Sequence, residues 1–329
     1  MKDKPVWLLV ILFIIMIWPA NPFDLSVRRV IIPAGSSVRA IERTLRQQGI
    51  LPRYTAFRLF VRFCKLSARL KAGEYDFSPS DPLPRLITRL VINETVPLPV
   101  QAITLPEGTS IYKMGLLLQK GGFKSWRPFQ GLVQEGITAK LREKYWHIFK
   151  FVPSESLEGY LFPDTYQFYL NTPAETMALV MVDRFDQVVL PFWRRAKQDT
   201  KMTLHEVLTL ASIIEKEAQK PAERPLISSV FHNRLAKGMP LAADPTVKYA
   251  LERPSKRVFY DQLSVNSPYN TYKRKGLPPG PICNPGLDSI KAAVYPAKTN
   301  YYFFVANKDG SHTFSIDWAG HQKARSRIK

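Results

Sequence analysis

Cysteine is nearly absent from this chain of 329 residues, since Cys64 and Cys283 are the only two. This scarcity excludes a disulfide-stapled small domain and any cysteine-rich zinc or iron–sulfur site. The two cysteines lie far apart in sequence, and whether they pair is left open. The histidines show no ligand-like spacing, and the chain has no glycine-rich nucleotide loop, Walker loop, nucleophile elbow or H-E-x-x-H motif. We therefore expect no metal site and no cofactor.

Acidic residues are scarce relative to basic ones. The chain has 47 Lys and Arg against 27 Asp and Glu, which gives a formal net charge of +20. The basic excess is spread along the chain without an arginine-rich tract or a nucleic-acid-binding motif. Such a surface suits a phospholipid leaflet, a nucleic acid or a cell-wall polymer that bears carboxylates. Charge alone does not choose among these three partners.

A long apolar run occurs at the N-terminus, where residues 6–18 read VWLLVILFIIMIW. The run is shorter than the roughly 20 residues that a spanning helix needs, and its extension to residue 23 includes two prolines. No small-x-small cleavage site follows, which argues against a cleaved signal peptide. Because Lys2 and Lys4 precede the run, the N-terminus is expected to stay in the cytoplasm. We favour an uncleaved single-pass anchor that exports the rest of the chain, which excludes cytoplasmic nucleic acid as a partner.

Two similar strand–turn–helix patterns begin about 73 residues apart. Residues 30–32 and 103–105 predict strands, and each is followed by a Pro-x-Gly turn. Apolar stripes at helical spacing follow over residues 38–45 and 111–118. The pattern indicates a small repeated module, although Pro-x-Gly-Ser/Thr is also common turn chemistry.

A boundary is indicated near residue 99 by the sequence V-P-L-P at residues 96–99. Before it, residues 70–77 alternate like a strand and residues 83–91 predict a helix, so we expect the order β-α-α-α-β-α. The region beyond it has its own helices, loops and a β-hairpin. The sequence therefore predicts an α+β protein with an N-terminal transmembrane anchor at residues 1–23, a small domain at residues 24–99 and a larger α+β domain at residues 100–329.

The strongest helix signal in the chain is TLHEVLTLASIIEKEAQ, residues 203–219, which opens with a T-x-x-E capping box. Glu215 and Glu217 at its end point about 160° apart and cannot act together on one bond. Glu217 continues an apolar face, where desolvation would raise its pKa and make it a general acid at neutral pH. The alternative is that Glu217 pairs with Lys220 or Arg224.

Several other segments carry polar side chains between aromatic and proline residues. The segment SLEGYLFPDTYQF contains Glu158 and Asp164, and its composition is typical of a groove that binds sugar rings or a peptide. The alternative is a structural loop with aromatic residues in the core. Further candidates in a predicted helix and two loops downstream are Asn233, Asp244, Asn270, Thr271 and Tyr272.

The blocks LEGYLFPDTY, ASIIEKEA, ISSVFHNRL, DPTVKY, SPYNTY, GLPPGPICNPG and YYFFVAN…HTFS occur in the order found in the endolytic murein transglycosylases, the YceG-like family. The chain resembles this family over about residues 25–320. The resemblance implies an anchor, a LysM-like small domain and a catalytic domain outside the cytoplasmic membrane. It also implies peptidoglycan glycan strands and the membrane as partners, together with peptidoglycan synthases.

The resemblance further implies that Glu217, the second glutamate of I-I-E-K-E, is the catalytic residue. The family cleaves the β-1,4 bond between N-acetylmuramic acid and N-acetylglucosamine of nascent strands, leaves a 1,6-anhydro end and so terminates elongation. Ala242 stands where many relatives have Gln. Two rival functions remain, a murein-binding scaffold and a hydrolase that pairs Glu217 with Asp164 or Glu158. The residues expected to line the substrate groove are Glu158, Asp164, Asn233, Asp244, Asn270, Thr271 and Tyr272.

Overall fold

The structure is a computed structural model that describes residues 17–94, 100–135, 139–150, 152, 156–251 and 260–328. Residues 1–16, which hold most of the predicted anchor, and residues 96–99, which hold the predicted boundary, lie outside these ranges. Over the ranges that are described, none of the helices combines the length and the apolar character needed to cross a membrane. The chain divides into two compact units, Met1–Pro99 and Val100–Lys329, which we call the small unit and the large unit.

The small unit is built on two antiparallel strands, β1 (Arg28–Ile32) and β2 (Gly73–Phe77). Helices α1 (Val38–Gln47) and α2 (Phe57–Phe63) lie between the strands in sequence, and α3 (Leu83–Ile92) follows β2. The predicted order β-α-α-α-β-α is wrong by one helix. Gly49 and Lys65 adopt left-handed φ values of 69° and 55°, which end α1 and redirect the chain after α2. Residues 64–72, between α2 and β2, form turns and irregular structure and no third helix.

Each strand and helix of the small unit buries one face. Apolar residues alternate along the strands and recur at helical spacing along the helices. Val30 and Ile32 of β1 face the core, and α1 adds Ile41 and Leu45. From β2 the rings of Tyr75 and Phe77 stack with centroids 5.3 Å apart. The small unit therefore has a hydrophobic core of its own.

The described part of the large unit is mostly helical and contains two short antiparallel strand pairs. The pairs are β3 (Val100–Thr104) with β4 (Thr165–Tyr169), and β5 (Phe303–Ala306) with β6 (His312–Ser315). The helices are α4 (Ile111–Lys120), α5 (Trp126–Glu135), α6 (Ala139–Lys144), α7 (Trp146–Phe149), α8 (Ala174–Ala196), α9 (Leu204–Glu217), α10 (Arg224–Ala236), α11 (Asp244–Ala250), α12 (Leu287–Val294) and α13 (Trp318–Ile328). The predicted α+β class and the predicted C-terminal hairpin are confirmed.

Both predicted strand–turn–helix patterns form, as β1–α1 and as β3–α4. Gly35 and Gly108 in their turns have φ values of 75° and 73°, which an L side chain rarely adopts. Each strand pairs with a different partner, β1 with β2 and β3 with β4. The repeated pattern is therefore local, and each copy belongs to a different unit.

Helix α9 runs through the core of the large unit. Its residues from 207 to 214 are all buried, and it packs against α10, α11 and above all α12. The predicted capping box at its start is present: Thr203 Oγ1 accepts from Glu206 N at 3.2 Å, and Glu206 Oε2 accepts from Thr203 N at 2.7 Å. Because residues 207–214 of α9 are buried on every side, the packing around the helix fixes the position of its last residue, Glu217.

Replacing Thr203 by alanine should lower the free energy of unfolding by about 1 kcal/mol, because the first turn of α9 loses its side-chain acceptor. Urea denaturation followed by far-UV circular dichroism measures the loss. Thr203→Ser keeps the acceptor oxygen and is the matched control, which should unfold nearly as the natural protein does. An alanine variant as stable as the serine variant would contradict the role of the cap.

Candidate functional site

Glu217 is the last residue of α9, and the buried helix carries its carboxyl to the edge of the core. The residue is half-buried. Burial raises the pKa of this carboxyl to about 7, and the negative charge of Asp244 adds to the effect. The positive charges of Lys248 and Arg234 act in the opposite direction and lower this pKa. Among the described residues, no side chain or main-chain group forms a hydrogen bond or ion pair with the Glu217 carboxyl.

The cations considered as partners of Glu217 are engaged elsewhere. Lys220 Nζ lies 2.8 Å from Asp309 Oδ2. Arg224 Nη2 lies 3.4 Å from Glu215 Oε1, and Glu215 Oε2 accepts a main-chain N–H just before α12 at 3.1 Å. Glu215 and Glu217 therefore have separate surroundings, as their spacing on α9 predicts. Glu215 joins α9 to α12, whereas Glu217 has no such partner within the described ranges.

Asp244 and Lys248 lie one turn apart on α11. Residues four apart on a helix share a face, and both charges act on Glu217. The hydroxyl of Tyr272 donates to Asp244 Oδ1 at 2.5 Å. Burial and the hydrogen bond to Asp244 raise the pKa of Tyr272, so its hydroxyl keeps its proton at neutral pH. We call Glu217, Asp244, Tyr272, Lys248 and Arg234 the α9–α11 site.

The loop before Tyr272 clamps the segment that leads into α11. Thr271 Oγ1 accepts from Ala243 N at 3.0 Å and lies 2.9 Å from Thr246 Oγ1. Ala242 N donates to the carbonyl of Thr271 at 3.0 Å. Ala242 has φ 50°, a left-handed conformation that costs an alanine about 1 kcal/mol. These bonds fix the direction in which α11 starts and hence the position of Asp244.

Asn270 and Asn233 hold main-chain carbonyl groups. Asn270 Nδ2 donates to the carbonyls of Leu263 and Val265 at 2.9 and 2.8 Å. Asn233 Nδ2 donates to two carbonyls shortly before β5, both at 2.9 Å. Both side-chain amides therefore tie loops together around the α9–α11 site.

Arg234 and Lys248 belong to the site although the sequence patterns did not single them out. Arg234 Nε and Nη1 donate to the carbonyls of Tyr302 and Leu241, each at 2.7 Å, and its guanidinium lies 5.2 Å from the centre of the Phe303 ring. These contacts hold its charge where it acts on Glu217. The spacing of Lys248 from Asp244 was a usable signal, whereas no local signal identified Arg234.

Glu158 lies in the core of the large unit with only 4% of its surface exposed. Its carboxyl accepts from Ile111 N at 3.1 and 3.2 Å and from Asn284 Nδ2 at 3.0 Å. The side-chain oxygen of Asn284 in turn accepts from Gly159 N and Leu161 N. Burial raises the pKa of Glu158 to about 8. This cluster joins the start of α4 to the aromatic segment and to the proline-rich loop.

Asp164 lies just before β4 and is partly exposed. Its Oδ1 accepts from Thr165 N at 2.7 Å and its Oδ2 from Arg184 Nε at 2.6 Å. These two bonds lower the pKa of Asp164. Asp164 and Glu158 thus have partners of their own, whereas Asp244 and Tyr272 are brought to Glu217.

Both cysteines are free thiols, with Cys64 exposed and Cys283 buried. Cys283 Sγ donates to the carbonyl of Ser212 in α9 at 3.3 Å. In the described part of the chain, no group of three or more His, Cys, Asp or Glu side chains is arranged to hold a metal ion.

Comparisons with known proteins agree on one family. The profile of the YceG-like family matches residues 30–327. An endolytic murein transglycosylase of Bacillus subtilis is 35% identical over 303 residues, which are 90% of this chain and 83% of the relative. One from Streptococcus pneumoniae is 31% identical over 87% of this chain, which spans only 56% of that longer relative.

A solved structure shows the same fold. The 2.6 Å crystal structure of a YceG-like protein from Listeria monocytogenes is 34% identical to this chain and superposes with a TM-score of 0.61. The match covers 91% of this chain and 99% of the Listeria chain.

Glu158→Gln should lose the pH dependence of stability that the buried carboxyl confers. Because the pKa of Glu158 is higher in the folded chain than in the unfolded chain, its contribution is full at low pH and is lost as pH rises toward 8. Over this range the free energy of unfolding of the glutamine variant, relative to that of the natural protein, should rise by up to about 1.4 kcal/mol for each pH unit. Urea denaturation at pH 5 to 8 measures the difference.

The exposed Glu143 of α6 offers a matched control for this substitution. The free energy of unfolding of Glu143→Gln should differ from that of the natural protein by nearly the same amount at every pH. A constant difference for Glu158→Gln as well would contradict a carboxyl that is protonated by burial.

Proposed function

The chain belongs to the YceG-like family, and on this premise we propose that it is a lytic transglycosylase that cuts peptidoglycan glycan strands internally. The observation that carries the proposal is the Glu217 carboxyl, which ends a buried helix, has a pKa raised to about 7 and lies in the field of Asp244. A carboxyl with a pKa near neutrality can both give and take a proton at the same pH. The names of the relatives, endolytic murein transglycosylases, support the same activity.

In the first step, Glu217 donates its proton to the glycosidic oxygen between N-acetylmuramic acid and N-acetylglucosamine. The bond from C1 of the muramic acid to this oxygen breaks, and positive charge develops at C1. The departing sugar takes the proton as its new hydroxyl group. Glu217 is left as a carboxylate next to the developing cation, which it stabilises.

In the second step, the Glu217 carboxylate removes the proton from the C6 hydroxyl of the same muramic acid. The C6 oxygen then bonds to C1 and closes the 1,6-anhydro ring. One bond to C1 is exchanged for another, no water is consumed, and Glu217 regains its proton for the next cycle. One carboxyl group is therefore sufficient.

Asp244, Tyr272 and Lys248 would set the proton affinity of Glu217 and line the substrate groove. The charge of Asp244 keeps Glu217 protonated close to neutral pH, and Lys248 limits that effect. The Tyr272 hydroxyl fixes the Asp244 carboxyl. Asn233, Asn270 and Thr271 would shape the groove through the loops they hold, and Glu158 and Asp164 through the segment between them.

A glycan hydrolase is the second candidate, because Asp244 places another carboxylate close enough to act on Glu217. Such a carboxylate could activate water for attack on C1. The products separate the two reactions, since hydrolysis leaves a reducing end and transglycosylation leaves an anhydro end.

The cellular setting follows from the predicted anchor. We propose a single-pass protein of the bacterial cytoplasmic membrane, with its N-terminus inside and both units facing the cell wall. The small unit would be the LysM-like domain, which its two-stranded sheet and flanking helices support. Cleavage of nascent strands there would terminate their elongation beside the peptidoglycan synthases.

Glu217→Gln should abolish cleavage of purified glycan strands, because glutamine cannot donate a proton to the leaving oxygen. Mass spectrometry of the products of the natural protein should show internal fragments that end in anhydromuramic acid. Glu206→Gln, at the other end of α9, is the control for a glutamate of the same helix and should still cleave. Fragments heavier by one water would favour the hydrolase, and binding without cleavage by the natural protein would favour a scaffold.

The pH dependence of kcat/KM for glycan cleavage should shift in opposite directions in two variants with substitutions in α11. Protonated Glu217 is the reactive form, so kcat/KM should fall as pH rises through its pKa, about 7. Asp244→Asn removes a negative neighbour and should move this fall to lower pH by about one unit, whereas Lys248→Gln should move it to higher pH.

An exposed lysine at the end of α8 provides the control, since Lys197→Gln should leave the profile unchanged. Profiles that coincide for the Asp244 and Lys248 variants would show that these charges do not act on the catalytic acid.

A further inference from the structure

Helix α2 of the small unit exposes large apolar side chains. Phe63 is 89% exposed and Leu59 66%, and Tyr54 just before the helix is 77% exposed. The opposite side of α2 buries Phe57 and Val61 in the core. Leu59 and Phe63 lie four residues apart and therefore share the outward side. The helix is thus apolar on both sides, and the core of the small unit uses only one of them.

The surroundings of this outward side are strongly basic. Residues 51–71 contain six Lys or Arg and no Asp or Glu. Arg58 Nε lies 2.8 Å from Glu42 Oε2. Within the described ranges, none of the other five forms an ion pair, and all five are exposed. We call Tyr54, Leu59 and Phe63, with the basic residues Arg53, Arg62, Lys65, Arg69 and Lys71, the α2 patch.

The small unit follows the predicted anchor without a free linker. Ile17, near the end of the apolar run, packs against the core of the small unit. Asn21 N donates to the carbonyl of Pro79 at 3.0 Å. A domain of this size has a radius of gyration of only about 11 Å, so every part of its surface lies within about one domain diameter of the predicted anchor. The effective concentration of lipid around the tethered unit is high, so even a weak affinity for lipid is enough to keep the α2 patch bound.

We propose that the α2 patch binds the outer surface of the membrane that anchors the chain, through anionic phospholipid headgroups. The five cations meet the lipid phosphates, while Leu59, Phe63 and Tyr54 enter the boundary between headgroups and acyl chains. A cell-wall polyanion would satisfy the cations but would leave the aliphatic Leu59 in water. The combination of charge and apolar exposure therefore favours lipid. This inference rests on the proposed anchor and not on the proposed cleavage reaction.

Cys64 is a suitable site for a fluorescent label that tests this contact, because it is exposed next to Phe63 whereas Cys283 is buried. The full-length protein is labelled at Cys64 with a polarity-sensitive fluorophore and inserted into nanodiscs of phosphatidylcholine, with or without phosphatidylglycerol. In the anionic nanodiscs we expect a blue shift of emission and quenching by lipids that carry a doxyl group on the acyl chain. Both signals should weaken as salt is added. Cys64→Ser reports labelling at any other position.

Two sets of substitutions at exposed positions test the two halves of the patch. Arg62→Gln with Lys65→Gln should lower the ratio of bound to unbound patch about 30-fold in anionic nanodiscs. Leu59→Ser with Phe63→Ser should remove the quenching by acyl-chain doxyl groups. Ile92→Ser, an exposed apolar position of α3 in the same unit, and Lys197→Gln with Lys201→Gln in the large unit are the matched controls and should retain both signals.

Three results would overturn the proposal. The first is emission typical of water in every nanodisc, and the second is a full-length chain that does not associate with nanodiscs at all. The third is a signal that responds to purified murein and not to anionic lipid, which would assign the α2 patch to the cell wall. Because the readout is fluorescence, none of these results depends on glycan cleavage.

Discussion

Burial of α9 is the constraint on which the site depends. The helix is surrounded by α10, α11 and α12, so its backbone cannot shift without opening the core of the large unit. Its last residue, Glu217, is thereby held where water cannot fully solvate a carboxylate. The same packing brings the N-terminal end of α11 near it, and with it Asp244. Desolvation and a like charge act in the same direction, and together they raise the pKa of Glu217 to about 7.

The other buried carboxyl groups of the large unit show why Glu217 differs from them. Glu158 accepts from Ile111 N and Asn284, and Glu215 accepts from a main-chain N–H and pairs with Arg224. Each of these groups connects segments that are distant in sequence, which compensates the cost of burying it. Glu217 makes no such bond to any described residue. A polar group held at the edge of the core without such a bond costs folding free energy. The proposed reaction, which needs a transferable proton, would account for its presence.

The small unit meets a different constraint, because its short helix α2 must serve a core and a surface at once. Phe57 and Val61 fill the core, while Leu59 and Phe63 remain outside among basic residues. In water such a face is a liability, since exposed apolar patches promote aggregation. Next to a bilayer the same face gains free energy from burial in the headgroup region. A unit tethered at the membrane, as we propose for this chain, can therefore keep side chains that a freely diffusing domain would not tolerate.

The sequence by itself determined the α+β class, the buried helix with its capping box, the hairpin near the C-terminus and the family, because periodicity, turn chemistry and long motifs are local properties. It also indicated that Glu217 faces away from Glu215. It was wrong about a third helix between β1 and β2, where left-handed Gly49 and Lys65 end the helical runs. Only the tertiary structure decided which charges surround Glu217, because Arg234 is placed by carbonyls distant in sequence and Asp244 by a clamp from the loop around Thr271. Electrostatic fields depend on distances in space, and those distances are set by the packing of the whole unit.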